Sequence, residues 1–515
     1  MKRNLLNLTL LAVASIVVSF AQAQRYQTEV FTSTDITSNV SYGENFSILT
    51  GAPILQNLVM DVYEPAGDSI TDRPLILLMH GGNYLPRYIN QLPTGDKSDS
   101  AVVELANRFS RMGYVVAVPS YRQGWNPQGT QDERSTTYIN AIYRGIQDVK
   151  TCIRYFRSDA DQSGNTYGIN VDRIAVGGYG SGADIALGAN SLNELAEIQL
   201  TKFFNFTTNA FMIDTALVGD WDGLGGNTAL NFENHIGYSS DFDVAFNMGG
   251  SIGDSTWIDA GDNPIISVHG VQDAYAPYGL GIIFVPGTTL FITEVSGSSD
   301  VIRIQNIFGN NDIFFTPPIV DAYTTQADAM NTTLDGTYGN GGNEGLFPIV
   351  GLADGNSPWQ FWDDASVNTG AIGLGQDPAV ILANGYSANP VYQALGPVAG
   401  KARAMAFIDT IQNYVAPRLF RVLVEPYVGL DHLENDLTAL TVYPNPGKNA
   451  INIRPNSVAT INKIEVIDWS GRQSILLDGL NVNEHSLEVT DLNSGIYLIR
   501  VTTETEVMTS KWVKE

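Results

Sequence analysis

The 515-residue chain has one cysteine, Cys152. A single thiol forms no internal disulfide, so stability must come from burial. Cys152 lies in "YINAIYRGIQDVKTCIRYF", where Ile142, Ile146, Val149, Ile153 and Phe156 recur at helical spacing. The thiol therefore reads as a packed side chain, with no basic neighbour pattern to make it a nucleophile. Positive charge is also scarce. Lys+Arg number 28 against Asp+Glu 54, for a formal net charge of −26. Such a surface repels phosphate backbones and anionic lipid, which excludes nucleic acid and membrane surfaces and favours polar, neutral or cationic partners. Beyond the first twenty residues no apolar run is long enough to span a bilayer. Neither H-E-x-x-H nor paired C-x-x-C occurs, so no zinc pattern is present and no metal or cofactor is expected. "DADQSGNTYGIN" starts like a calcium loop with Asp159, Asp161, Ser163 and Gly164, but its last ligand position is Asn170 rather than Glu. It reads as a helix-to-strand connection. Histidine is limited to five positions: His80, His235, His269, His432 and His485.

What the chain does have is a core: hydrophobic residues make up 44% and Gly numbers 50. Residues 1–23 read as an export signal. Lys2 and Arg3 precede the apolar stretch Leu5 to Phe20, and Ala21-Gln22-Ala23 supplies a small-x-small cleavage site. From about Leu55, strand and helix patterns alternate. "LVMDVYEP" alternates apolar and polar residues, and "RPLILLMH" is a continuous apolar run of the kind buried on both faces of a parallel sheet. "DSAVVELANRFSRMG" is a helix with Asp99 or Ser100 as its cap and Gly113 as its stop. "YVVAVPSYR", the helix around Cys152, "DRIAVGG", "FDVAFNMGG" and "NPIISVHG" continue the alternation. The expected fold is an α/β doubly wound, mostly parallel sheet. The pattern weakens over 187–242, which reads as a cap, and over 280–345, which reads as an irregular insertion. "PVAGKARAMAFIDTIQNYVAPRLFRVL" reads as a closing helix that ends at Pro417. Residues 424–436 read as a linker, and 437–515 as short alternating strands of a small β-sandwich.

Two resemblances follow. Residues 437–515 resemble the C-terminal sorting domain of the type IX secretion pathway of Bacteroidetes-type bacteria. The carriers are "VYPNP" (442–446), "VIDWSGR" (466–472), "DLNSGIYLIRV" (491–501) and the terminal "KWVKE". This resemblance implies the type IX secretion machinery as a partner, with release or surface attachment afterwards. Residues 24–423 resemble the α/β-hydrolase superfamily, in particular secreted esterase/lipase-like and feruloyl-esterase-like members. The carriers there are "LLMHGGNY", "GYVVAVPSYR", "DRIAVGGYGSGAD" and "PIISVHGVQDAYAPYG".

The hydrolase resemblance implies a nucleophile, an acid and a histidine in that chain order, plus oxyanion donors. His80-Gly81-Gly82-Asn83 matches the oxyanion loop, so Gly81 and Gly82, with the amide of Ser181, are the expected donors. Asp273, in "VQDAYAPYG", matches the acid position. In the nucleophile elbow template G-x-S-x-G, Gly178 and Gly182 take the flanking glycines and Gly180 takes the serine's place. Ser181 then falls one residue late, at the start of the next helix. The histidine-bearing loop is matched by "LADGNSPW", which offers Asp354, Gly355 and Asn356 and no histidine. The expected function is therefore a secreted esterase-like fold with impaired catalysis that binds a small molecule, ester or glycan. The alternative is an active carboxylic ester hydrolase in which a displaced Ser181 works with Asp273 and with His235 or His432 folded back. A third reading makes Trp359, Phe361 and Trp362 an aromatic platform for sugars.

Overall fold

The computed structural model describes residues 25–49, 51–90, 94–286, 288–351, 357–361, 390–425, 440–455, 460–468, 473–503 and 507–514. The chain divides into two compact units, Met1–Val424 and Glu425–Glu515.

The first unit is built on eight strands: β1 (Thr34–Ser47), β2 (Ile54–Pro65), β3 (Arg73–Met79), β4 (Val115–Pro119), β5 (Ile169–Tyr179), β6 (Val244–Met248), β7 (Ile265–Gly270) and β8 (Leu346–Ile349). They lie in the order β1-β2-β4-β3-β5-β6-β7-β8. β2 runs antiparallel to β1 and β4, and every other neighbouring pair is parallel. The helices are α1 (Ser100–Met112), α2 (Gln131–Gln162), α3 (Ser181–Ser191), α4 (Ser298–Ile307), α5 (Ala322–Tyr338) and α6 (Pro390–Leu423). β3, β4, β6 and β7 are buried at every position, which explains their unbroken apolar runs. Alternate side chains serve opposite layers. Leu75, Leu77 and Met79 join Ile146, Val149 and Cys152 of α2. Ile76 and Leu78 join Leu105 and Phe109 of α1 and Ile408 and Leu419 of α6. Burial pushes the Cys152 thiol well up, so it stays protonated.

Several local expectations meet their physical terms here. α1 starts after Asp99 and stops at Gly113, whose φ of 115° is left-handed, the backbone that glycine adopts freely at a helix end. The loop after α2 is a turn: Asp159 accepts hydrogen bonds from the Thr166 amide (2.8 Å) and hydroxyl (2.8 Å). Two expectations need correction. α6 does not end at Pro417 but runs through to Leu423. Tyr414, Val415, Ala416, Leu419 and Leu423 are all buried, and that burial outweighs the roughly 3 kcal/mol that proline costs inside a helix. The stretch 280–345 is also less irregular than its composition indicates. It holds an antiparallel pair, Leu280–Phe284 with Phe291–Gly297, and then α4 and α5. α5 hides in a Thr/Asn/Asp-rich sequence but is started by Asp321, whose carboxylate accepts the amides of Tyr323 and Thr324. The stretch 187–242 contains the end of α3, short 3₁₀ turns, a two-residue ribbon and a single helical turn, Thr215–Val218.

The second unit has a three-stranded sheet (Leu440–Tyr443, Ala450–Pro455, His485–Glu488) and a four-stranded sheet (Ile461–Asp468, Gln473–Val482, Gly495–Thr502, Val507–Lys514). Ile451, Ile453, Ile464, Val466, Ile499 and Trp512 form its core. No helix among the described residues is long and apolar enough to cross a membrane.

Candidate functional site

β5 ends at Tyr179 and α3 begins at Ser181, leaving Gly180 as a one-residue corner with φ 53° and ψ −124°. Only glycine takes such a backbone without strain. The flanking glycines fix which residue occupies the corner. A Cβ at Gly178 would lie 2.4 Å from the Gly182 carbonyl carbon, and one at Gly182 would lie 2.4 Å from the Met79 oxygen. A Cβ at Gly180 would meet nothing within 4 Å. The close approach of β5, α3 and the end of β3 therefore demands glycine on both sides, while the corner itself looks into open space.

That space is a cavity of about 130 Å³ lined in part by Gly82, Asn83, Gly180, Ser181, Asp184 and Asp273. Gly81 lines it too, beside the Tyr179 ring. Ser181 is buried, and both functions of its hydroxyl are engaged. The oxygen accepts the Asn83 amide at 3.1 Å and lies 3.1 Å from the Tyr121 hydroxyl. Tyr121 in turn donates to the His80 carbonyl at 3.0 Å, so the Ser181 proton is directed at Tyr121. Asn83 and Tyr121 were not singled out from the sequence, though both stand at strand ends, in "HGGNY" and "PSYR".

Asp273 follows β7 and reaches the cavity with a side chain only 3% exposed. Its Oδ1 accepts the amides of Tyr275 (2.7 Å) and Ala276 (3.0 Å). Burial pushes this carboxyl up to about 7 despite those amides, and the nearby Asp184 adds to the shift. Asp184, one turn into α3, also went unnoticed in the sequence. It accepts the Ser251 amide (2.7 Å) and the Tyr84 hydroxyl (2.8 Å), and burial pushes it up to about 6.

No histidine among the described residues lines the cavity. His269 Nε2 lies 3.8 Å from Asp273 Oδ2, but the ring is fully committed. Nε2 pairs with the Ala276 carbonyl at 3.1 Å and Nδ1 with the Ser298 hydroxyl at 2.7 Å. Burial pushes it down to about 4, so it is neutral. His80 is buried, bonded to the Gly81 carbonyl and stacked on Tyr121. His235 pairs with the Tyr42 carbonyl at 2.9 Å, and His485 belongs to the second unit. His432 and the loop residues Asp354, Gly355 and Asn356 lie outside the described residues, as does Trp362. Just after that loop, Ser357 and Gln360 line the cavity. Trp359 and Phe361 are 0% and 4% exposed, so they are core packing and not a sugar platform. Among the described residues no three His, Cys, Asp or Glu side chains group to hold a metal ion.

Residues 60–285, which hold the elbow, the oxyanion loop and Asp273, match the family model described as BD-FAE. Residues 60–285 are thus similar to esterase-like proteins, and the mostly parallel eight-stranded sheet flanked by helices in the first unit fits an α/β-hydrolase-like fold. Residues 441–515 match the secretion system C-terminal sorting domain. That domain indicates export through the type IX pathway, with the protein secreted or held at the cell surface. Among solved structures, Thermogutta terrifontis esterase 2 phosphorylated by paraoxon aligns with 15% identity over 70% of this chain and 96% of that one, at a TM-score of 0.32. The propionate-bound form of the Thermogutta esterase aligns with 16% identity over 65% and 92%, at 0.31. MGS-M1, an α/β hydrolase from a Medee basin deep-sea metagenome library, aligns with 14% identity over 48% and 73%, at 0.26. No curated protein matches the sequence.

Proposed function

We propose that the exported hydrolase domain has lost ester turnover and keeps its cavity as a binding site. The observation that carries this reading is Gly180. The residue with the corner backbone, facing the cavity between the oxyanion loop and Asp273, has no side chain to attack an acyl carbon. Ser181 supports the reading from the other side. Its hydroxyl is held by the Asn83 amide and by Tyr121, so it is committed inside the loop and not free to attack. The cavity lining supports it as well: no described histidine lines it beside Asp273, and an acid that orients a base is of use only when a base is there. The cavity's two buried carboxylates favour ligands that donate hydrogen bonds or carry positive charge.

The test is hydrolysis of nitrophenyl acetate and butyrate by the mature protein. The expected result is no saturable turnover, with Ser181→Ala indistinguishable from the parent. Saturable turnover that disappears in Ser181→Ala would overturn the reading in favour of an esterase with a displaced serine.

A further inference from the structure

A second cavity, of about 210 Å³, lies away from the elbow, between the end of β1, α2 and the helical turn Thr215–Val218. Its walls are mainly Phe46, Ile48, Val218 and Leu230, with Thr137 and Asn140 beside them, and Arg122 and Arg144 supply its charged floor. Arg122 is satisfied. Its backbone amide and Nε reach Asp148 at 2.7 and 2.8 Å, and Nη2 lies 2.8 Å from the same carboxylate. Arg144 is not. It is 6% exposed, Nη2 donates to the Gly124 carbonyl at 2.5 Å, and Nε has no partner. Among the described residues Asp148, already bonded to Arg122, is the one carboxylate that acts on Arg144. Two guanidinium groups therefore share one carboxylate in the interior of a chain whose net charge is −26. A guanidinium cannot shed its proton to escape burial, and a buried cation without a counter-charge is costly. The excess at this spot is one positive charge, and it opens onto a cavity with apolar walls.

We propose that this cavity binds a small aliphatic monocarboxylate, with the carboxylate against the Arg144 guanidinium that lines it and the hydrocarbon end against Phe46, Ile48, Val218 and Leu230. A single excess charge suits a monoanion better than a phosphate dianion, and the apolar walls suit an alkyl chain rather than a bare ion. The site is independent of the elbow cavity and of whether that cavity turns over esters.

Sodium butyrate titrated into the full mature chain tests this, followed by calorimetry and by the melting temperature. Butyrate is expected to bind saturably and butyramide, its uncharged analogue, to bind at least tenfold more weakly. Arg144→Met removes the charge and Leu230→Trp fills the apolar end while keeping Arg144. Each is expected to weaken butyrate at least tenfold, and Asp273→Asn in the other cavity is expected to leave it unchanged. If Arg144→Met fails to fold, Leu230→Trp decides. Absence of saturable butyrate binding, equal binding of butyramide, phosphate binding more tightly than butyrate, or retention within twofold in Leu230→Trp would each overturn the proposal.

Discussion

Replacing Asp273 with Asn should stabilise the protein at alkaline pH and do little in acid. The carboxyl is held at about 7, above its ordinary 3.8. The folded state therefore keeps the proton through a window in which the unfolded chain has lost it. The resulting stability is fully present below pH 4 and is lost as the pH rises through 7. At about 1.4 kcal/mol per pH unit, a displacement of roughly three units sets a ceiling of about 4 kcal/mol. Water entering the cavity, and the Asp184 charge that remains, reduce the expected gain to about 1–3 kcal/mol at pH 8. Asn keeps an oxygen for the Tyr275 and Ala276 amides, so their hydrogen bonds survive the change. His269, held down at about 4, weakens the fold as the pH falls below 6.5, but it does so equally in parent and variant and cancels in the difference. Melts at pH 4.5 and pH 8, followed by the helical circular dichroism signal, isolate the first unit, because every described helix lies there. The expected result is a variant a few degrees more stable at pH 8, with a much smaller gap at pH 4.5. A variant that is less stable at pH 8, by a wider margin than in acid, would refute the reasoning. It would mean that a cation pairs with the ionised carboxylate, and a histidine in that place would restore the case for catalysis.

Other substitutions separate the parts of the elbow. Gly180→Ala should cost about 1–3 kcal/mol in thermal melts although its Cβ meets open space, because φ 53° with ψ −124° strains any other residue. Gly180→Ser should carry the same penalty and yield no saturable ester turnover, since a serine without a base recovers little. Turnover in that variant would reveal a base within reach. Gly182→Ala should cost more than about 3 kcal/mol or abolish soluble expression, because its Cβ would sit 2.4 Å from the Met79 oxygen. Arg418→Met should lower stability by about 3–5 kcal/mol, read in the same melts, since it strands the buried Glu344 whose Oε1 accepts Arg418 Nε at 2.7 Å.

The main sheet was legible because its inner strands are buried and mostly apolar, a pattern that burial on both faces produces directly. β1 was not, since its outer positions face solvent and its residues are polar. α5 was missed because a helix started by Asp321 and built of Thr, Asn and Asp has no strong apolar stripe. In the site, the positions that touch backbone were readable: Gly178 and Gly182 stand where no Cβ fits, and such glycines leave a sequence trace. The partners that satisfy polar groups across the fold were not. Asn83 meets Ser181 across ninety-eight residues of sequence and Tyr121 meets it across sixty, and no local spacing encodes that. Asp184 sat inside the quoted elbow motif, yet its exposure to the cavity depends on the pitch of α3 and on the Ser251 amide coming from beyond β6.

If ester turnover is lost as proposed, the Gly180 corner and the Asn83–Ser181 hydrogen bond are linked by hydrogen-bond accounting. An oxyanion loop that waits for substrate leaves amide donors pointing into a dry cavity, and an unpaired buried donor costs about 1–3 kcal/mol. A working esterase tolerates that cost because the transition state repays it. On the proposed reading that ester turnover is lost, there is no such return, and a side chain that satisfies the donor stabilises the fold at no loss. Ser181 does this for Asn83 from one position beyond the vacant corner. Asp273 has undergone no comparable relaxation, since burial still holds its carboxyl at about 7. On the proposed reading, a carboxyl held buried at that cost is retained as an acidic wall of the cavity for binding. If Ser181→Ala frees the Asn83 amide and thereby tightens a carbonyl-bearing ligand while Asp273→Asn weakens it, the cavity still distinguishes its two polar ends, as a binding site must.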